Sequence, residues 1–355
     1  MSSRNLTPVS GMSPTSARTK QGHHLVCAIS EDEQRLFMEP NAPAIESLQL
    51  RVSWLKDEAL RINQFTMAEL NPNILLTGWS SRPLDAHWLT SRECNLRYVC
   101  HLGGAVKWLV PRSFIERGGI VTNWSDIPST SVAEHALLLA LSALRNSGRW
   151  LDVLKGGPRS TSRIEWLNTR TLFGRKVGLH GFGRIARELV KILRPFGVEI
   201  RGYSQGVPRS LFDQEGVTQV ESLESLFKEN EILFEFEGLT TKTSGVVSAE
   251  ILAMLPNDAV FVNVARGGLV DEAALLHEAT SGRIRVALDV MISEPVAPSC
   301  PFRQLKNVVM SPHIAGPTFD QYSSCGAFAA RNIARYLEGN PLEGLVSLVE
   351  YDRST

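Results

Sequence analysis

Net charge is missing from this 355-residue chain: 37 lysines and arginines balance 37 aspartates and glutamates. A neutral chain has no long-range field to draw in nucleic acid or an anionic membrane, so neither is expected as a partner. Long apolar runs are missing too, since none approaches the ~20 residues that a spanning helix needs. Cysteine is scarce. Cys27, Cys94, Cys100, Cys300 and Cys325 are odd in number and form no C-x-x-C pair. That argues against a disulfide framework or a zinc site, and for reduced thiols in a cytoplasmic protein. Acidic residues are absent from 1–22, the first being Glu31. This Ser-, Thr-, Arg- and Lys-rich stretch has no hydrophobic signal core. It reads as a disordered tail, with an organelle transit peptide as the alternative.

What the chain does have is alternation. Short apolar runs at 25–30, 51–55, 73–79, 96–104 and 119–124 read as strands, with helical segments such as 58–70 and 111–117 between them. A second series of strand-like runs lies at 176–181, 198–204, 217–220, 232–236, 259–265, 284–290 and 307–311. Gly216, Pro256, Gly282 and Pro312 punctuate it. The pattern predicts an α/β protein of parallel sheets covered by helices, and the length fits two domains. Between the series lies SVAEHALLLALSALRN, 131–146. It is apolar nearly all round and reads as a buried connecting helix. Ser129, Thr130 or Ser131 is expected to cap it, with Glu134 in its first turn. Residues 316–338 read as a last helix crossing back to the first half.

Within the second series stands RKVGLHGFGRIARELV, 175–190. Gly181 can make a tight turn, Gly183 can let the backbone approach a pyrophosphate, and Ala186 can let helix pack closely on strand. The helix start then offers N–H groups and a partial positive charge. Strand, turn and helix in this order read as a dinucleotide cradle. About twenty residues on, where a carboxylate would take the ribose hydroxyls of NAD, the chain has Ser204 followed by QGVPRS. Ser204 cannot repel a 2′-phosphate and Arg209 there could pair with one, so this stretch leans to NADP over NAD.

Three further strand ends carry candidate chemistry: Arg266 before two glycines, Asp289 followed by Glu294, and His313 after Pro312. All fall at the carboxyl ends of predicted parallel strands, the edge where open α/β sheets bind ligands. A guanidinium can clamp a carboxylate and polarise a carbonyl. An imidazole can exchange a proton with the carbonyl oxygen. A carboxylate can hold the imidazole's other nitrogen and favour its charged form. No metal is needed. His135 and His180 are expected as satisfied buried residues, and His101 stands beside the LGG loop. Trp79, Trp108 and Trp124 have their default place in the core, though all flank predicted strand ends where they could narrow a pocket.

GFGRIA, NVARGGLVDE, ALDV…EP and SPHIAG, in that order, make the chain resemble the D-isomer-specific 2-hydroxyacid dehydrogenase family over roughly residues 75–335. The resemblance implies two Rossmann-like domains. One is a flavodoxin-like substrate-binding domain from 23–127 and 317–355, and the other a doubly wound NAD(P)-binding domain at 128–316. It implies hydride transfer between NAD or NADP and a small 2-keto acid or D-2-hydroxy acid, in a homodimer. Arg266 would bind substrate, His313 would be the acid–base, and Glu294 would orient it. Gly103, Gly104 and Ala105 would hold the substrate carboxylate through backbone N–H groups. Cofactor contacts would come from Gly181, Phe182, Gly183, Arg184, Ile185, Ser204, Arg209, Gly238, Thr243, Val264, Ala265, Arg266, Asp289, His313, Ala315 and Gly316.

The chain departs from the family at EFEGLTTKT, 235–243. Phe236 replaces the usual His and Gly238 the usual Pro, while Glu237 would repel a 2′-phosphate. The missing ribose acid and Arg209 pull toward NADP, whereas Glu237 pulls toward NAD. A non-catalytic dinucleotide-binding regulator that keeps the fold is the competing class, and a formate or phosphite dehydrogenase is a third.

Overall fold

The structure is a computed structural model that describes residues 22–56, 67, 69–155 and 168–353. The expected tail at 1–22 and most of the expected helix at 58–70 lie outside the described residues.

The first series builds a five-stranded parallel sheet: β1 (His24–Ala28), β2 (Arg51–Trp54), β3 (Ile74–Thr77), β4 (Tyr98–His101) and β5 (Ile120–Thr122), in the order β2-β1-β3-β4-β5. The second builds a seven-stranded parallel sheet. Its strands are β6 (Lys176–His180), β7 (Glu199–Tyr203), β8 (Thr218–Gln219), β9 (Ile232–Glu235), β10 (Val260–Asn263), β11 (Arg285–Leu288) and β12 (Val308–Met310), ordered β12-β11-β10-β9-β6-β7-β8. The central strands are apolar except at their ends because both faces are covered. In β9, Ile232 and Phe234 pack into one core and Leu233 into the core on the opposite face. In β1, Leu25 and Cys27 face one core while Val26 and Ala28 face another.

Three helices position the crevice: α1 (Ser129–Leu144), α2 (Arg184–Leu193) and α3 (Tyr322–Glu338). The capping expected for α1 is corrected. Pro128 sits at the N-cap without a side-chain bond, the Ser131 hydroxyl donates back to the Pro128 carbonyl, and no acid lies in the first turn. Nor is α1 buried all round, since Leu138 is 56 % exposed. At its other end, buried Arg285 of β11 donates to the carbonyls of Ala143 and Leu144 (3.2 Å each) and of Asn168 (2.7 Å). A guanidinium on terminal carbonyls answers the helix dipole and the unpaired acceptors together. Helix α3 returns to the first sheet, where Cys325, Ala329 and Ile333 pack with Leu25, Cys27 and Cys100.

Both sheets reverse strand order once, the first between β1 and β3 and the second between β9 and β6. Ligands of open parallel sheets bind at such switch points. In the seven-stranded sheet this edge holds the Gly181 turn after β6 and Glu235–Gly238 after β9.

Candidate active site

Gly181 leaves β6 with φ +86°, a conformation that favours glycine. A Cβ there would stand 2.4 Å from the Glu237 nitrogen and 2.5 Å from the Phe236 carbonyl carbon. Gly183 has open space where its Cβ would be, and it starts α2 with no side-chain cap. A tight turn, an unobstructed backbone and uncapped N–H groups at a helix start fit a pyrophosphate. Phe182 contributes only backbone, because its ring is buried in a stack on Phe212, centroids 4.1 Å apart. The Arg184 guanidinium donates to Ser125 Oγ (2.6 Å) and stands 3.7 Å from Asp126.

Arg266 follows β10. Asn263 braces the turn, donating from its amide to the Arg266 carbonyl and accepting the Ala265 N–H, both at 3.0 Å. The guanidinium is half-buried and donates to the Ala265 carbonyl (2.7 Å). Burial lowers its pKa, opposed by the charge of Glu294. Gly267 is needed for close approach: a Cβ would lie 2.2 Å from the Met291 carbonyl carbon. The chain that follows β11 therefore runs directly over the Arg266 turn and delivers Glu294 beside it.

Glu294 is held at both oxygens. Oε1 accepts the Met291 N–H (2.9 Å), and Oε2 lies 2.6 Å from Nδ1 of His313. His313 has φ +56°, a region that histidine enters more readily than most residues. Asp289 fixes that turn. Its carbonyl accepts the His313 N–H (2.9 Å), and its carboxylate accepts the N–H groups of Ile314 (2.9 Å) and Ala315 (3.0 Å) and the Ser311 hydroxyl (2.6 Å). His135 of α1 lies 2.8 Å from the Ser311 hydroxyl and 3.5 Å from Asp289. Burial alone would raise the Asp289 pKa, but the hydrogen bonds from His135, Ser311, Ile314 and Ala315 prevail and bring it to about 2. The Asp289 carboxylate is thus an ionised brace across the working pH range.

These groups open on one cavity of about 810 Å³ between the two sheets. Ile185, Val264, Arg266, Asp289, His313, Ala315 and Gly316 line it from the seven-stranded side, and Gly104 and Ala105 from the other. The N–H groups of Gly103, Gly104 and Ala105 donate to no acceptor among the described residues. Gly103 lies against the His101 ring. His101 is buried, 3.0 Å from the Thr77 hydroxyl, and burial pulls its pKa down to about 4.

Several expected cofactor residues are not among those lining this cavity. Arg209 opens a short helix (Arg209–Gln214), largely exposed and 3.9 Å from Asp213. Ser204 ends β7 and donates to Glu237 (2.8 Å). Thr243 donates to the Gly238 carbonyl (2.6 Å), closing the turn after β9. The aromatic side of the cavity is what the sequence analysis set second to core placement. Trp79, Trp108 and Trp124 line it with Phe319 and Tyr322, and Trp124 and Tyr322 also pack on the core of the first sheet. Their places just beyond strand ends were the available signal.

Residues 135–315 match the family model of the D-isomer specific 2-hydroxyacid dehydrogenase, NAD binding domain. The chain is 33 % identical over 255 residues to a D-3-phosphoglycerate dehydrogenase of Methanocaldococcus jannaschii, covering 72 % of this chain and 48 % of that one. It therefore spans about half the length of that relative. A glyoxylate reductase/hydroxypyruvate reductase of Mus musculus is 28 % identical, over 83 % of this chain and 90 % of its own. Among solved structures, the apo form of a D-mandelate dehydrogenase from Rhodotorula graminis superposes with a TM-score of 0.78 at 20 % identity, over 92 % of this chain and 98 % of its own. That likeness shows the fold.

Proposed function

We propose that this chain, which belongs to the D-isomer specific 2-hydroxyacid dehydrogenase family, interconverts a 2-keto acid and its D-2-hydroxy acid. The observation that carries the reading is the 2.6 Å contact of His313 with Glu294 at the mouth of the cavity that Arg266 lines. With Nδ1 engaged by Glu294, the imidazole presents Nε2 to the substrate oxygen, giving a proton in reduction and taking one in oxidation. Arg266 and the undonated N–H groups of Gly103–Ala105 hold the substrate carboxylate, and the guanidinium polarises the adjacent carbonyl. NAD(H), when bound at Gly181–Ile185, supplies or takes the hydride. The test follows nicotinamide absorbance with a panel of 2-keto acids. Oxidation of reduced cofactor by at least one acid is expected. No oxidation of NADH or NADPH by any of them overturns the reading in favour of a dinucleotide-binding regulator.

The choice of dinucleotide is read from Glu237. Ser204 occupies the strand end where a ribose acid is expected, and its hydroxyl donates to Glu237, which arrives from β9. A carboxylate is thus restored at that point from another strand. It suits the ribose hydroxyls of NAD and opposes a 2′-phosphate. NADH should bind at least about 10-fold more tightly than NADPH, one 1.4 kcal/mol step. Glu237→Gln should narrow that gap, as measured by calorimetric titration of both cofactors. Tighter binding of NADPH by the unaltered protein sinks this assignment.

Pairing into a homodimer is supported by Leu138, Trp150, Leu151 and Leu154, exposed apolar side chains on and just beyond α1. Light scattering at the mass of one chain would refute it. The five cysteines are all unpaired, which supports a reducing, cytoplasmic setting. Among the described residues no helix is long and apolar enough to cross a membrane.

A further inference from the structure

We propose that the substrate carries an aromatic ring beyond its keto group, so that the site takes aryl 2-keto acids and the matching D-2-hydroxy acids. This rests on the dehydrogenase reading above and names the substrate class within it.

The cavity has two unlike walls. The seven-stranded side presents small aliphatic groups with Arg266, Asp289 and His313. The facing side is aromatic. Trp79 meets Trp124 edge-on (centroids 5.8 Å, 78°) and Tyr322 likewise (5.9 Å, 79°), and Phe319 meets Tyr322 (6.2 Å, 78°). Rings packed edge-on leave surface uncovered: Trp79 is 46 % exposed, Trp108 42 % and Phe319 79 %. Uncovered aromatic surface inside a cleft is best matched by another flat apolar ring, offset-stacked or edge-on.

The wall is built, not incidental. Glu33 is buried at the switch point between β1 and β3, and its carboxylate accepts the N–H groups of Trp79 and Ser80. Phe37 backs the Trp79 ring at 5.4 Å. Trp124 lies against Gly104, whose Cβ would stand 3.0 Å from the indole nitrogen. These rings are therefore fixed beside the loop that holds the substrate carboxylate, where the rest of the substrate must project.

Charge excludes the alternatives. Arg266 is the one lysine or arginine among the described residues lining the cavity, and the substrate carboxylate uses it. His101 stays neutral, its pKa near 4 through burial. Among the described lining residues no further lysine or arginine is left for a phosphate or a second carboxylate. Two of the lining hydroxyls are also engaged: Ser125 takes the Arg184 guanidinium, and the Thr318 side chain caps the turn Phe319–Gln321.

The experiment compares kcat/KM for glyoxylate, hydroxypyruvate, 3-phosphohydroxypyruvate, phenylglyoxylate and phenylpyruvate with saturating NADH. One of the two phenyl acids should exceed each of the other three by about 10²-fold or more, since even one buried methylene is worth 10–200-fold. Trp79→Ala and Trp124→Ala should each lower the ratio of phenyl acid to glyoxylate by about 10-fold, a lost aromatic contact plus its buried area. Tryptophan emission of the unaltered protein should be quenched by phenylglyoxylate at lower concentration than by glyoxylate, a readout that needs no variant to fold. Preference for the hydroxy or phospho acid, or equal rates across the panel, overturns the aryl inference and leaves the dehydrogenase reading standing. Absence of turnover with every acid overturns both.

Discussion

Replacing His313 by asparagine lowers kcat in both directions by about 10²–10⁴-fold, the usual contribution of a positioned acid–base group. Asparagine is the informative replacement because position 313 has φ +56°, and asparagine tolerates that region while alanine is strained in it. The backbone bond from residue 313 to the Asp289 carbonyl and the bonds from Ile314 and Ala315 to the Asp289 carboxylate do not involve the ring. The turn therefore survives, and cofactor affinity stays close to that of the unaltered chain. Glu294→Gln should be slower as well, because in the proposed mechanism Glu294 acts by holding Nδ1. The double variant should be no slower than His313→Asn alone, since residues that act as one unit are not additive. Unchanged turnover in His313→Asn removes the mechanism, and strictly multiplicative losses remove the coupling of Glu294 to His313.

How much of this was legible in the sequence differs by cause. The strands were readable because parallel strands covered on both faces are continuous apolar runs, as in Ile232–Glu235 and Val260–Asn263. The Gly181 turn was readable because a positive φ with backbone packed against it admits little but glycine. Arg266, Glu294 and His313 were readable from short patterns, since each strand end carries its own neighbours. What was hidden is contact over distance. Ser204 and Glu237 lie 33 residues apart and meet only because β7, β6 and β9 are adjacent. The aromatic wall was only half legible, for another reason. A tryptophan at a strand end has the same hydrophobicity whether it fills a core or faces a cleft, and only packing distinguishes the two. The cap of α1 failed because Pro128 supplies the entry angle and leaves the nearby hydroxyls to bond backward.

The largest stability effect is expected from the pair beneath the cofactor cradle. His180 ends β6 and Glu235 ends β9. They are 3 % and 0 % exposed, with Nδ1 and Oε2 2.6 Å apart. Burial alone would lower the His180 pKa, but the charge and hydrogen bond of Glu235, with Glu237 adding, prevail and raise it above the ordinary 6.5. Removing one partner leaves the other buried and uncompensated, so Glu235→Leu should destabilise the protein by about 3–5 kcal/mol. Exchanging both, as His180→Ile with Glu235→Leu, should recover most of that loss, because an apolar pair of similar volume is often neutral or better. The pH sign follows from a raised histidine pKa. The contribution of the pair is complete below the unfolded value near 6.5 and fades as pH climbs through the higher folded value. Denaturant midpoints of the unaltered chain should therefore fall on the alkaline side relative to the double variant. Glu235 also accepts the Glu237 N–H at 2.9 Å, so the double variant should regain stability while losing part of its preference for NADH. Such a split would show that a buried charge pair, neutral or worse for folding, is kept to aim Glu237, the acid proposed to meet the ribose. A single variant as stable as the unaltered chain, or a double variant no better than the single, would refute the coupling.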